Sequence, residues 1–221
     1  MTGARNATST GADRGRGHPI FAALYDRSLA SAERGWLGDQ RRALLGAAEG
    51  VVLEIGAGTG ANLPHMPATA TSIVLSEPDP AMRRRLVARV ERSGRAGVLV
   101  DPSPAERLDM PDGSVDTVIT TLALCSVADP ARALAEARRV LRPGGRLLFL
   151  EHVRGAGRRA RWQDRITPVW RRAAAGCHLD RDTVAAIRDA GFVVESVRIT
   201  DDGPGLRVAK PYAVGSAVTP A

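Results

Sequence analysis

A chain of 221 residues can bury one sizeable core, and 44% hydrophobic content is ordinary for a water-soluble protein built as one domain. The net charge of +7 is carried almost wholly by arginine, with Lys210 the only lysine. These arginines are scattered, with few aromatics between them, which does not predict a nucleic-acid binder. No apolar run reaches the roughly 18–20 residues of a membrane span, and Cys125 and Cys177, with no Cys-x-x-Cys, predict a reducing compartment and no structural metal site.

Residues 1–17 are polar and glycine-rich and lack an apolar signal region. They predict a disordered tail and, by default, a cytoplasmic location. Residues 18–221 then read as a single domain. From His18 to Leu45, residues Ile20, Phe21, Leu24, Tyr25 and Leu29 recur at helical spacing and predict a leading helical segment. Tyr25 either joins the core or covers a ligand.

Val51 to Ile55 is the first buried strand, and it stops at Gly56-Ala57-Gly58-Thr59-Gly60. These glycines let the backbone turn sharply and approach a ligand closely. Ala61 and Asn62 are expected to open a helix whose free amides face the loop. With Ala61 last, the spacing also satisfies the dinucleotide fingerprint Gly-x-Gly-x-x-Gly/Ala. Two features point elsewhere: Gly60 tightens the repeat, and Glu54 at the strand end is placed to meet an ammonium group.

Ser72 to Ser76 is a second buried strand ending at Glu77. An acidic residue about 20 positions past a glycine loop can accept hydrogen bonds from ribose hydroxyls. Pro78-Asp79-Pro80 starts a helix with Met82, Leu86 and Val90 inside and arginines on its solvated face. Gly97 to Val100 is strand three, and Val115 to Leu122, after the Asp112-Gly113 turn, is strand four. Asp129-Pro130 caps a helix with Leu134, Ala137 and Leu141 inside. Pro143-Gly144-Gly145 ends it and starts strand five, Arg146 to Glu151.

Seven arginines lie between Arg154 and Arg172, and Trp162, Ile166 and Trp170 recur every four residues, as if on one helix face. Either this is a lid touching membrane or lipophilic substrate, or it packs its tryptophans on the domain. Pro168 is expected to kink or interrupt it. Asp180 to Ala190 is the last helix, capped by Asp180 and ended by Gly191. Phe192 to Ile199 and Tyr212 to Val218 are strands six and seven. Strand and helix alternate, so the fold class is α/β with helices on both faces of a mostly parallel sheet.

Over residues 50 to 152, and more loosely to the end, the chain resembles the class I S-adenosylmethionine (SAM) methyltransferases of type 11. The features shared are Glu54–Gly60, Glu77, Ala105-Glu106, Asp112-Gly113-Ser114-Val115-Asp116 and Leu141-Arg142-Pro143-Gly144-Gly145. Gly58-Thr59-Gly60-Ala61-Asn62, Thr121 to Val127, Glu151-His152-Val153, Gly176-Cys177-His178-Leu179 and Pro211-Tyr212 are similar to the smaller family of animal alkyl-thiol methyltransferases. Those animal enzymes have an N-terminal membrane anchor, which the polar start of this chain does not predict.

The resemblance implies a Rossmann-like seven-stranded sheet of order 3-2-1-4-5-7-6, with strand seven antiparallel. It implies a cofactor half over about 50–152 and a substrate-facing insert over about 153–180. The cofactor would be SAM, held by Glu54, Gly56, Ala57, Gly58, Gly60, Asn62, Glu77, Pro78, Ala105, Glu106 and Leu122. Many relatives place aspartate where Pro104 stands, so either Ala105 and Glu106 would supply more of the adenine contact or that contact is absent. The acceptor is expected over Leu124-Cys125 and Glu151-His152, with Cys125 a small lining residue.

His152 is the first candidate base and His178 the second, each weighed against an ordinary structural role. The expected partner is a small lipophilic acceptor, with a thiol as first guess. Quinone, phospholipid or secondary-metabolite C-, N- or O-methylation is the alternative. Outside methyl transfer, a nicotinamide-dependent reductase or a non-catalytic SAM-binding protein stays open. Peripheral membrane contact is one further expectation, and the oligomeric state is not legible.

Overall fold

The computed structural model describes residues 26–27, 30–174 and 176–220. Residues 1–17, and Ile20, Phe21, Leu24, Tyr25 and Leu29 of the expected leading segment, lie outside the described residues. Residues 30–34 are helical, and after Gly35 the chain continues as α1, Trp36–Leu45.

The sheet comprises β1 (Gly50–Ile55), β2 (Ala70–Ser76), β3 (Val98–Asp101), β4 (Val115–Thr121), β5 (Leu141–His152), β6 (Val193–Thr200) and β7 (Tyr212–Val218). Its order is β3-β2-β1-β4-β5-β7-β6, as the resemblance implied. The first five strands pair in parallel, and β7 pairs antiparallel to both β5 and β6. The helices are α1, α2 (Pro80–Ser93), α3 (Pro130–Val140), α4 (Gly157–Ala173) and α5 (Thr183–Asp189).

Side chains alternate across the central strands, and each face has its own core. Val52, Ile73, Leu75, Ile119 and Leu148 pack with Leu45 of α1 and Leu86 of α2. Leu53, Ile55, Val118, Leu147 and Phe149 pack with Leu134 and Ala137 of α3 and Ile187 of α5. Asp129 caps α3 as expected, accepting from the amide of Arg132, and Asp79 caps α2, accepting from the amides of Ala81 and Met82.

Three local expectations fail. No α-helix follows the glycine loop: Asn62 precedes a single 3-10 turn, Leu63–His65. Pro67 lacks an amide and its ring would meet the carbonyl of Leu63, while Met66 before it is extended, so the turn cannot propagate. The cap of α5 is Asp182, whose Oδ1 accepts from the amide of Ala185. Asp180 instead faces His178, 3.5 Å from Nδ1.

Helix α4 runs on through Pro168. Its Trp162 is 61% exposed, whereas Ile166 and Trp170 pack inward. The buried arc of α4 is centred on Ala160, Gln163 and Thr167, so Ile166 and Trp170 fall at its edge and Trp162, further round the helix, falls outside it.

Candidate active site

The strands end at one rim of the sheet, and the order reverses between β1 and β4, where open α/β sheets bind ligands. Glu54, the penultimate residue of β1, is buried at this reversal. Its Oε1 accepts from Asn62 Nδ2 at 2.9 Å, and Oε2 is buried with no hydrogen-bond partner. Burial raises its pKa to about 7, partly opposed by Arg41 and by the Asn62 bond.

Asn62 is wholly buried behind Glu54, so its amide holds that carboxylate. The Asn62 carbonyl and Thr121 Oγ1 each accept from Arg41 NH1 at 2.7 Å. Arg41 is 2% exposed and also bonds both oxygens of Glu33 at 3.0 Å. The leading helical region is thereby tied to the end of β1. Sequence reasoning missed Arg41; its signal is an arginine in register with Leu37 and Leu45 on the buried stripe of α1.

The glycines of the loop differ in what they make room for. A Cβ on Gly56 would meet Ala123 at 2.7 Å, and one on Gly60 would meet Leu86 at 2.7 Å, so both serve packing. Gly58 has φ +58 and nothing within 4 Å of a Cβ: it faces open space. Ala57 is buried and its amide donates to the carbonyl of Ser76. Thr59 Oγ1 donates to Asp26 at 2.5 Å, which sets Asp26 against the loop.

Glu77 sits at the end of β2, 6% exposed. Its Oε2 accepts from the amide of Gly58 and its Oε1 from that of Asp79, each at 2.8 Å, so it shapes the glycine loop. Burial pushes its pKa up against these two bonds. Pro78 beside it is exposed. Ala105 is buried, and Glu106 turns away to accept from the amide of Asp129 at α3. Arg83 is not merely solvated: its NH1 donates to the carbonyls of Glu77 and Pro78.

Strand β4 ends one residue earlier than expected, because Leu122 has φ +57. A leucine in the left-handed region costs about 1–3 kcal/mol and persists only where its surroundings over-determine it. Glu151 does this. Its Oε1 accepts from the amides of Ala123 and Leu124 at 3.0 Å, and Oε2 from that of Cys125 at 3.3 Å. The carboxylate expected beside the acceptor is thus turned to the opposite face of the sheet and holds the 122–125 turn. Cys125 goes with it. It packs against Cys177, Leu179 and Ala209 as a buried free thiol, which corrects its reading as a lining residue.

Burial raises the Glu151 pKa to about 7, as it does for Glu54. An acid whose folded pKa lies above its ordinary 4.5 binds its proton more tightly when folded. Its contribution to stability is full below 4.5 and is lost as pH rises through about 7. At 1.4 kcal/mol per tenfold change this is worth at most about 3 kcal/mol for each group. Without SAM, the melting temperature is expected to fall between pH 5 and pH 7.5, and Glu54→Gln should remove roughly half of that slope. Scanning calorimetry across this range checks it; a flat profile would mean that neither carboxyl carries its proton in the folded protein.

The side chains of Leu148, Leu150 and His152 alternate onto the face that carries Glu54. Two strand spacings, roughly 10 Å, separate β1 from β5. His152 Nδ1 lies 2.6 Å from the carbonyl of Ala209, so this nitrogen carries the proton and donates it, leaving the Nε2 lone pair as acceptor. Burial lowers its pKa below the ordinary 6.5, so the ring is neutral at pH 7.

The ring of His152 lies 4.5 Å from Tyr212, which lies 5.1 Å from Trp36 of α1. Leu37 and Leu122 complete this cluster. Trp36 was not singled out from sequence. His178, the second candidate, sits instead by Asp180 with its amide donating to the carbonyl of Cys125.

A methyltransferase domain model matches residues 53–149, the stretch from β1 to β5. The chain is 35% identical over 207 residues to human thiol S-methyltransferase TMT1B, covering 90% of this chain and 83% of that protein. It is 29% identical over 202 residues to human thiol S-methyltransferase TMT1A, covering 90% and 82%. Among solved structures it is similar to a SAM-dependent methyltransferase of Thermotoga maritima described as a possible histamine N-methyltransferase. The TM-score is 0.65, with 24% identity and coverage of 90% of this chain and 98% of that one; at that identity the likeness speaks for the fold alone. With the glycine loop, the strand order and these relatives together, the chain belongs to the class I SAM-dependent methyltransferases, in the same family as the human thiol S-methyltransferases.

Proposed function

We propose that this methyltransferase acts on a small lipophilic thiol, with His152 as the base. The observation that carries the reading is the neutral imidazole, fixed by Ala209 with Nε2 as acceptor and lying against Tyr212, which belongs to a cluster with Trp36 and Leu122. A base of pKa below 6.5 removes a proton readily from a thiol of pKa near 8.5, and far less readily from an alcohol or an ammonium group. Aromatic and aliphatic neighbours suit an apolar acceptor. The human relatives named as thiol S-methyltransferases support the same choice. Two buried free cysteines support a reducing, cytoplasmic setting.

The residues at the β1–β4 reversal fit SAM. The unpartnered Oε2 of Glu54 matches an ammonium group, and the open space at Gly58 leaves backbone free to approach a ligand. Bound there, SAM supplies an electrophilic methyl group on a sulfonium. Glu54 holds the amino-acid end, oriented by Asn62 and Arg41. Glu77 shapes the loop and offers its remaining lone pairs to hydroxyls. Gly56, Ala57 and Gly60 let the loop fold close, and Pro78, Ala105 and Leu122 wall the site. Glu106 is turned to α3, where it accepts from the amide of Asp129.

Labelled SAM offered with alkyl and aryl thiols, phenols, amines and quinols tests the acceptor. Turnover is expected with thiols first; methylation of phenols or amines with thiols ignored would overturn the thiol reading. Gly58→Val is expected to abolish SAM binding with the fold kept, because a branched side chain would fill the open space at φ +58. Normal affinity by calorimetric titration in a folded variant would remove the loop from the cofactor site. Glu77→Ala should weaken SAM by about 1.5–3 kcal/mol, the range for a hydrogen bond to a charged group. It also unmoors the Gly58 amide. Unchanged affinity would leave Glu77 as a structural residue only.

A further inference from the structure

We propose that the outer stripe of α4 is a docking surface for an anionic lipid bilayer. Arg158, Trp162, Arg165, Val169 and Arg172 follow one another at alternating steps of four and three residues, which places them in one line along a helix. All five are exposed, Trp162 at 61% and Val169 at 66%. Arg161 and Pro168 flank the line and are exposed as well. The inner face fixes the helix in this rotation. Ala160, Gln163 and Thr167 are buried, and Gln163 donates to the carbonyls of Val208 and Lys210 while accepting from the amide of Gly155.

Among the described residues, the charges on the line lack counter-charges. The only acid in α4, Asp164, is paired with Arg154, and Arg159 pairs with Asp201 on the flank. Among the described residues, no carboxylate pairs with Arg158, Arg165 or Arg172. A partner must therefore offer negative charge to the arginines and an apolar layer to Trp162 and Val169 at the same time. An anionic bilayer has both, headgroups above and acyl chains a few ångströms below.

A second copy of the chain, itself at +7, would bring arginine to arginine. Residues 1–25, with Arg5, Arg14 and Arg16 against Asp13 as their only acid, are also repelled by sign. Nucleic acid meets the charge but leaves Val169 and Pro168 without a stacking or apolar partner. Seated this way, the protein would meet lipophilic molecules where they concentrate.

Sedimentation of the full chain with phosphatidylcholine vesicles, with and without phosphatidylglycerol, tests the proposal. Binding is expected only to the anionic vesicles, released by salt. A blue shift of tryptophan emission should accompany it and vanish in Trp162→Phe. Arg158→Gln, Arg165→Gln and Arg172→Gln should each weaken partitioning about fivefold, and Trp162→Ser with Val169→Ser should abolish it. SAM titration of each exposed-site variant confirms that it is folded. Failure of the wild type to bind anionic vesicles, or wild-type binding by the variants, overturns the proposal. So does binding to a nucleic-acid homopolymer with vesicles ignored, or self-association that Trp162→Ser removes with no vesicle binding.

Discussion

Glu54→Gln is expected to lower SAM affinity on the order of 10²–10³-fold. Glutamine keeps the shape and can still accept from Asn62, so the change removes the charge alone. Leaving a buried charge without its partner costs about 3–5 kcal/mol. The wild-type affinity should also depend on pH with a definite sign. In the free protein the Glu54 carboxyl titrates at about 7, and a protonated carboxyl cannot pair with an ammonium group. Affinity should therefore drop as pH falls below 7, by up to tenfold per unit, and be flat over the same range in Glu54→Gln. Calorimetric titration from pH 6 to pH 8 measures both. A flat wild-type profile, with normal affinity in the glutamine variant, would separate Glu54 from the cofactor.

His152→Ala should lower turnover by about 10²–10⁴ while leaving SAM affinity nearly intact. The proton from the acceptor goes to Nε2, since Nδ1 already carries the proton it donates to Ala209. The loss should shrink for acidic thiols, which arrive ionised, and as pH rises towards the pKa of the acceptor. The imidazole pKa lies below 6.5, so with SAM saturating the acid limb of the wild-type rate profile belongs below that pH. A structural histidine would behave differently: the variant would lose stability and SAM binding together, for every acceptor and at every pH. Parallel pH–rate profiles of wild type and variant, taken with two thiols of different pKa, would exclude His152 from the chemistry.

Much of the cofactor end was legible because its signals are local. A buried strand, three glycines and the acids at the ends of β1 and β2 lie within one short stretch, and spacing alone puts Glu54 and Glu77 at strand termini. The caps Asp79 and Asp129 are local in the same way. The helix expected after Asn62 was a misreading of local signals, since Pro64 and Pro67 stand in plain view. The stripe of Trp162, Ile166 and Trp170 failed because the buried arc of α4 is set by Ala160, Gln163 and Thr167, and Trp162 lies beyond it.

The acceptor end was decided by the tertiary structure. The parity of β5 puts Glu151 and His152 on opposite faces, but it does not say which face α1 covers. That depends on crossovers that bring Trp36 and Tyr212 to one side of the sheet and Cys125 and Cys177 to the other. Glu151 could not be read as the anchor of the Leu122 turn, because its three amide partners belong to another strand's loop. Arg41 could not be read as the support of Asn62 until α1 was laid across β1 and β4. A strand's pattern of burial is written in its own residues, whereas the partner of each buried polar group is set by how distant segments pack, and that packing orients Glu54 and His152.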